Sequence, residues 1–147
     1  MHDTDAHNAE ATLTLRSQLT DLTLVGPWVD ELAAKHGIAD DTRFAIDLCL
    51  EEALSNVIRH GYGSEPDHTV TVDFRADGES GLTFTIEDSA PHFKPSEAIE
   101  PMETRPIDEM EPGGQGIRLM RRFASSIVYE QLPRGNRLTL GFRTTSS

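Results

Sequence analysis

The chain has 147 residues, with 13 Lys plus Arg against 25 Asp plus Glu and a formal charge of −12. That length favours one domain, and 37% hydrophobic residues supply a core without disulfide or metal staples. So acidic a balance repels phosphate backbones, which are bound by clustered Lys and Arg, and direct nucleic-acid binding is not expected.

Residues 1–10 are polar and read as a flexible terminus, leaving 11–147 as a single domain. The opening MHDTDAHNAEAT is acidic where a secretory signal would be basic and then apolar, and no later run approaches about 18 apolar residues. The expectation is a cytoplasmic protein without a membrane segment. From Ala11, Leu13 and Leu15 alternate with Thr12, Thr14 and Arg16, the period-two pattern of a strand with one buried face. Leu24, Val25, Trp28, Val29, Leu32 and Ala33 recur at helical spacing, with Pro27 in the first turn and Gly37 as the stop. Asp40 or Asp41 is placed to cap a longer helix, whose stripe of Phe44, Leu48, Cys49, Ala53, Leu54, Val57 and Ile58 runs to about His60, before Gly61 and Gly63. The one cysteine, Cys49, lies between Leu48 and Leu50, reads as a small buried apolar residue and fits a reducing compartment.

Two strands follow, through Val70, Val72, Phe74 and through Leu82, Phe84, Ile86, with a turn at Asp77 and Gly78. Residues 89 to 115 change character: Pro91, Pro95, Pro101, Pro106 and Pro112 stand among many acids, as in a long loop that is functional or disordered. Gly116 opens a short helix bearing Ile117, Leu119, Met120 and Phe123, and strands from Ile127 to Leu132 and from Arg137 to Phe142 close the chain, joined by Pro133 to Asn136. The order predicts an α+β fold, a two-layer α/β sandwich with helices on one face of a mainly antiparallel sheet.

Three segments carry polar groups that chemistry can use. Glu52 and Asn56 are four apart and share a helix face with Cys49 and Ala53, aiming a carboxylate and an amide toward the covered side. Asp88 ends a strand where the sheet gives way to the long loop. Gly113-Gly114-Gln115-Gly116 enters a helix, a geometry in which backbone N–H groups can cradle an anion. Each also has an ordinary reading: polar residues at a stripe's edge, a turn-initiating Asp, a flexible loop. The glycine run is neither a Walker A pattern nor a GxGxxG after a strand. Arg118, Arg121 and Arg122 fit an exposed helix face as well as a phosphate or acidic partner, and His60 reads as packing beside the helix end.

In this order and on these elements, the three segments together resemble the GHKL (Bergerat-fold) ATP-binding superfamily. Glu52-Ala-Leu-Ser-Asn56-Val-Ile-Arg-His60-Gly61-Tyr62 is similar to its N box, Asp88-Ser-Ala-Pro-His-Phe93-Lys-Pro95 to its adenine-contacting box, and Gly114-Gln-Gly116-Ile-Arg-Leu-Met to its phosphate-contacting box. The short chain, the Pro-x-Phe-x-Pro continuation and the Gly-Asn-Arg-Leu-Thr-Leu ending resemble the standalone anti-sigma-factor serine/threonine kinases, over roughly residues 12 to 143. A two-component sensor, which would need a helical dimerisation segment with a phospho-accepting His, is not expected, nor is a gyrase- or chaperone-like ATPase, which would be much longer.

That resemblance implies ATP and Mg²⁺ as cofactors, with Asn56 as the metal ligand and Glu52 as the general base for a serine hydroxyl. It further implies Asp88 and Ala90 at the adenine, Gly114, Gln115, Gly116 and Ile117 at the phosphates, Thr139 on the last strand among the nucleotide contacts, and an ATP lid at about 91–113. Asp88-Ser89-Ala90 stands where many members have Asp-x-Gly, and the added methyl implies altered affinity rather than lost binding. Implied partners are a small STAS-like anti-sigma-factor antagonist, which the kinase phosphorylates, a sigma factor, and a second copy in a homodimer. The alternative is a nucleotide-binding module that sequesters its partner with little kinase activity.

Overall fold

A computed structural model describes residues 9–61, 68–77, 81–90 and 120–143. Its strands are β1 (Ala11–Arg16), β2 (Thr69–Asp77), β3 (Gly81–Asp88), β4 (Ser126–Leu132) and β5 (Gly135–Arg143), and its helices α1 (Val25–His36) and α2 (Asp40–Asn56). The strands form one sheet in the order β1-β2-β3-β5-β4, every neighbouring pair antiparallel. Helices over one face of an antiparallel sheet are the expected α+β architecture. The start of the helix expected from Gly116 lies outside the described residues, which hold its last turn at 120–123.

Local chemistry explains most boundaries. Pro27 sits in the first turn of α1, where its missing N–H costs nothing, and Gly37 ends the helix at φ +66, the left-handed conformation glycine tolerates. A 3-10 turn at Leu19–Leu24, which hydrophobic spacing does not foretell, leads into it. The start of α2 corrects one expectation. Ala39 is the N-cap, with extended backbone and no side-chain cap bond, while Asp40 and Asp41 lie inside the first turn. There they favour the helix through its positive N-terminal end rather than by capping.

Pleat and register set the two sheet faces. Val70, Val72 and Phe74 of β2 stand opposite Asp88, Ile86 and Phe84 of β3, and these in turn opposite Asn136, Leu138 and Leu140 of β5. That face carries the core: Phe84, fully buried, meets Phe74 at 5.1 Å, Phe142 at 5.9 Å and the α1 residue Trp28 at 6.0 Å between ring centroids. Ile46, Cys49, Leu50, Ala53 and Leu54 of α2 complete it. The other face is polar, with Arg137 donating to Glu87 at 2.7 Å and to Glu130 at 3.2 Å.

One polar group at the helix layer is poorly served. Asp47 Oδ1 is buried without a hydrogen-bond partner, and its carboxyl is raised above the ordinary range by burial and by Asp30, an effect that Arg43 partly offsets. Raised in the folded state, this group holds back folding when ionised: the penalty is present at neutral pH and disappears as the pH falls through the raised value toward 3.8. Asp47→Asn is therefore expected to melt about 2–4 °C higher than the parent chain at pH 7, the shift that ~1 kcal/mol produces at this size. Thermal denaturation at stepwise lower pH should show the gap closing toward pH 4. A gap that is constant with pH would assign the gain to something other than the charge.

Candidate active site

Glu52 and Asn56 lie one turn apart on the flank of the α2 stripe, both half-buried. Beside them Cys49 is fully buried, and burial, seconded by the Glu52 carboxylate, pushes its thiol up to about 12. The thiol is protonated at neutral pH and works as an apolar filler, as its neighbours Leu48 and Leu50 suggest. Asn56 is the last α-helical residue, because Val57–Gly61 winds as a π-helix. The Val57 N–H is shared between the carbonyls of Ala53 and Leu54 at this junction. Single π-turns are frequent at functional sites.

α2 begins at one end of the sheet. Its first turns, at Asp41, Thr42 and Ala45, line a groove of about 330 Å³ with Phe142 and Arg143, which stand opposite the start of β3 at Leu82 and Gly81. Seventeen helical residues span about 25 Å, close to the length of eight strand residues. Glu52 and Asn56, in the last turns of α2, lie at the far end of the helix from that groove, as Asp88 lies at the far end of β3 from Gly81.

At that end Asp88 is buried, 9% exposed, and its Oδ1 accepts two hydrogen bonds. The Ala90 N–H donates to it at 2.8 Å, closing a turn, and Asn136 Nδ2 donates at 2.9 Å. Asn136 Nδ2 also donates to the Ala90 carbonyl at 3.2 Å, and the Tyr129 hydroxyl donates to Asn136 Oδ1. The turn-initiating role open to Asp88 in the sequence is therefore realised, on a carboxylate that also sits where a ligand site at a strand end belongs. Ala90 is 2% exposed and belongs to the same core as Ala53 and Met120.

Thr139 is not brought to this site. It stands opposite Thr85, one residue out of phase with the Asp88, Ile86, Phe84 series, and so on the opposite face of the sheet. Asp88 stands on the other face, with Ile86 and Phe84. Gly114, Gln115, Gly116 and Ile117, together with the expected lid at 91–113, lie outside the described residues. Asn136, Tyr129 and Gly135 were not foreseen as site residues. The sequence places Gly135 and Asn136 in the final hairpin connection, whereas both belong to β5.

The family model of the histidine kinase-like ATPase domain matches residues 15–142, a span that takes in Glu52, Asn56, Asp88 and Asn136. The chain belongs to that family. The kinase is 30% identical over 130 residues to the serine/threonine-protein kinase BtrW of Bordetella bronchiseptica, covering 88% of this chain and 90% of that protein. It is also 30% identical over 113 residues to the anti-sigma F factor of Oceanobacillus iheyensis, covering 76% and 68% respectively. These relatives support its place among the anti-sigma-factor kinases, protein serine/threonine kinases that use ATP, as the three boxes suggested.

Among solved structures, the fold matches a blue-light-activated histidine kinase of Erythrobacter litoralis with a TM-score of 0.57 at 17% identity, over 73% of this chain but only 32% of that one. The histidine kinase domain of the same protein matches with a TM-score of 0.50 at 16% identity, over 82% of this chain and 61% of that one. At such identities the likeness is one of fold. No helix among the described residues is long and apolar enough to cross a membrane.

Proposed function

We propose that the kinase transfers the terminal phosphate of ATP to a serine or threonine of a small STAS-like anti-sigma-factor antagonist, and that it holds a sigma factor when the antagonist is phosphorylated. Glu52 and Asn56, half-buried and one turn apart where α2 passes from α- to π-winding, are the observation that supports this reading.

Each residue's chemistry fits its assigned part. The side-chain amide oxygen of Asn56, on a packed helix, suits Mg²⁺, which takes oxygen ligands and commonly keeps only one or two from the protein when phosphates supply others. Bound there, Mg²⁺ would supply charge neutralisation along the phosphates. Glu52 would accept the proton of the attacking hydroxyl as oxygen bonds to phosphorus and the bond to ADP breaks. Asp88, an acceptor when ionised, would take a hydrogen bond from the adenine amino group. Gly114, Gln115, Gly116 and Ile117 would meet the phosphates, with 91–113 as a lid. The sigma factor extends the same reading from the name of the anti-sigma F factor relative, and the antagonist, the homodimer and a cytoplasmic setting extend it from the resemblance of the three boxes.

Calorimetry with ATP, with and without Mg²⁺, tests the nucleotide assignment. Asn56→Ala is expected to remove the Mg²⁺-dependent part of ATP affinity, and Asp88→Asn to weaken ATP at least tenfold, about 1.4 kcal/mol, whether or not Mg²⁺ is present. Variants that both bind Mg-ATP as tightly as the parent would overturn it.

A further inference from the structure

We infer that Asn136, locked by Tyr129, is the positioning residue that aims the Asp88 carboxylate and so sets the preference of the site for a purine bearing a 6-amino group. The inference rests on the reading of Asp88 as the base-binding acid and adds what holds that acid in place.

The hydrogen-bond chemistry leaves the Asn136 amide one orientation. Its Nδ2 lies between two acceptors, Asp88 Oδ1 and the Ala90 carbonyl. Turned over, the amide would set its own oxygen against both and leave its NH₂ facing the Tyr129 hydroxyl. With the Tyr129 O–H donating to Oδ1, the amide is held from its far side as well. A chain of donors thus runs from the Tyr129 hydroxyl through the Asn136 NH₂ to Asp88, each polarising the next.

That chain has a consequence for Asp88. Its Oδ1 is pinned by two donors on two elements, the Ala90 N–H of its own turn and the Asn136 amide of β5, so the carboxyl cannot rotate without breaking one of them. An ionised carboxylate accepts hydrogen bonds and donates none. An acid fixed in direction and acting as an acceptor discriminates between purines by their 6-substituent. An amino group donates to it, a hydrogen does nothing, and a carbonyl oxygen meets it as a second acceptor.

Asn136 and Asp88 are each only 9% exposed and stand opposite each other across the β3–β5 ladder, so their meeting is set by the sheet rather than by a mobile side chain. Gly135 makes room for it. A Cβ on this residue would lie 1.9 Å from the Asp88 carbonyl oxygen.

The test compares dissociation constants for ATP and for purine riboside triphosphate, which carries hydrogen in place of the 6-amino group, in the parent chain and in Asn136→Ala, Tyr129→Phe and Asp88→Asn. Asn136→Ala is expected to lower the preference for ATP about tenfold, while purine riboside triphosphate binds within about twofold of the parent. Tyr129→Phe, which removes one oxygen, should lower the preference by about two- to threefold. A merely structural role would weaken both nucleotides together and leave their ratio unchanged, and that result would overturn the inference. Should Asn136→Ala fail to fold, the ratio in Tyr129→Phe decides alone. The underlying reading fails separately: it is lost if the parent shows no preference, or if Asp88→Asn keeps the parent's ratio. A ratio that collapses in Asp88→Asn but survives in both other variants overturns only the role of Asn136.

Discussion

Glu52→Gln is expected to bind Mg-ATP within about twofold of the parent chain and to transfer phosphate on the order of 10²- to 10⁴-fold more slowly, the range that a positioned general base contributes. The substitution keeps side-chain volume and removes only the charge that would take up the hydroxyl proton. Glu52 is half-buried and sits one turn before Asn56 on α2, so the exchange leaves the core residues Cys49, Leu50, Ala53 and Leu54 as they are. Single-turnover transfer rates, measured beside nucleotide titrations, separate the two effects. Transfer at the parental rate would remove Glu52 from the chemistry. Loss of binding in parallel with loss of transfer would make it a binding residue.

A second large effect is expected far from α2. Gly135 has φ +130, and a Cβ there would come within 1.9 Å of the Asp88 carbonyl oxygen and 2.8 Å of Ser89 Cα. These obstacles are backbone, so no flexible side chain can yield, and Gly135→Ala must spread β5 from the end of β3 as well as adopt a strained φ. The expected cost is at least ~3 kcal/mol, or a melting temperature lower by about 6 °C or more, with ATP affinity falling as Asp88 is displaced. Gly37→Ala provides the comparison. At φ +66 it is strained, but nothing lies within 4 Å of its added Cβ, so its cost should stay near ~1 kcal/mol with ATP affinity intact. Equal melting temperatures for the two variants would contradict the close approach of Gly135 to Asp88.

Much of this was legible in the residues because local rules and tertiary packing agree. Leu13 and Leu15, Val70 to Phe74, Leu82 to Ile86 and Leu138 to Phe142 alternate, and each series does face the helices. Pro27 and Gly37 bracket α1 as their backbone preferences require. Glu52, Asn56 and Asp88 stood out because an acid or amide on a covered face, or at a strand end, needs a reason. What was not legible depends on contacts distant in sequence. Asn136 meets Asp88 only because β5 inserts between β3 and β4, and no local pattern around Gly135-Asn136 reports that neighbour. The π-winding after Asn56 leaves apolar spacing unbroken, as Val57 and Ile58 continue the stripe. Asp40 and Asp41 looked like caps because Asp is a good capping residue, yet the helix already starts at Asp40, with Ala39 as its N-cap. Thr139 is a different case. It lies between Leu138 and Leu140, so the alternation that identifies β5 already points it away from the core face.

The most direct test of the central claim is transfer itself. The full chain would be incubated with Mg²⁺ and γ-labelled ATP and with candidate small STAS-like proteins from its own genome, and any labelled residue located by mass spectrometry. The account predicts label on a serine or threonine of one candidate, lost when Glu52→Gln replaces the parent. Demonstrated ATP binding with no label on any candidate would contradict it, and would leave a nucleotide-binding module that acts by sequestering its partner.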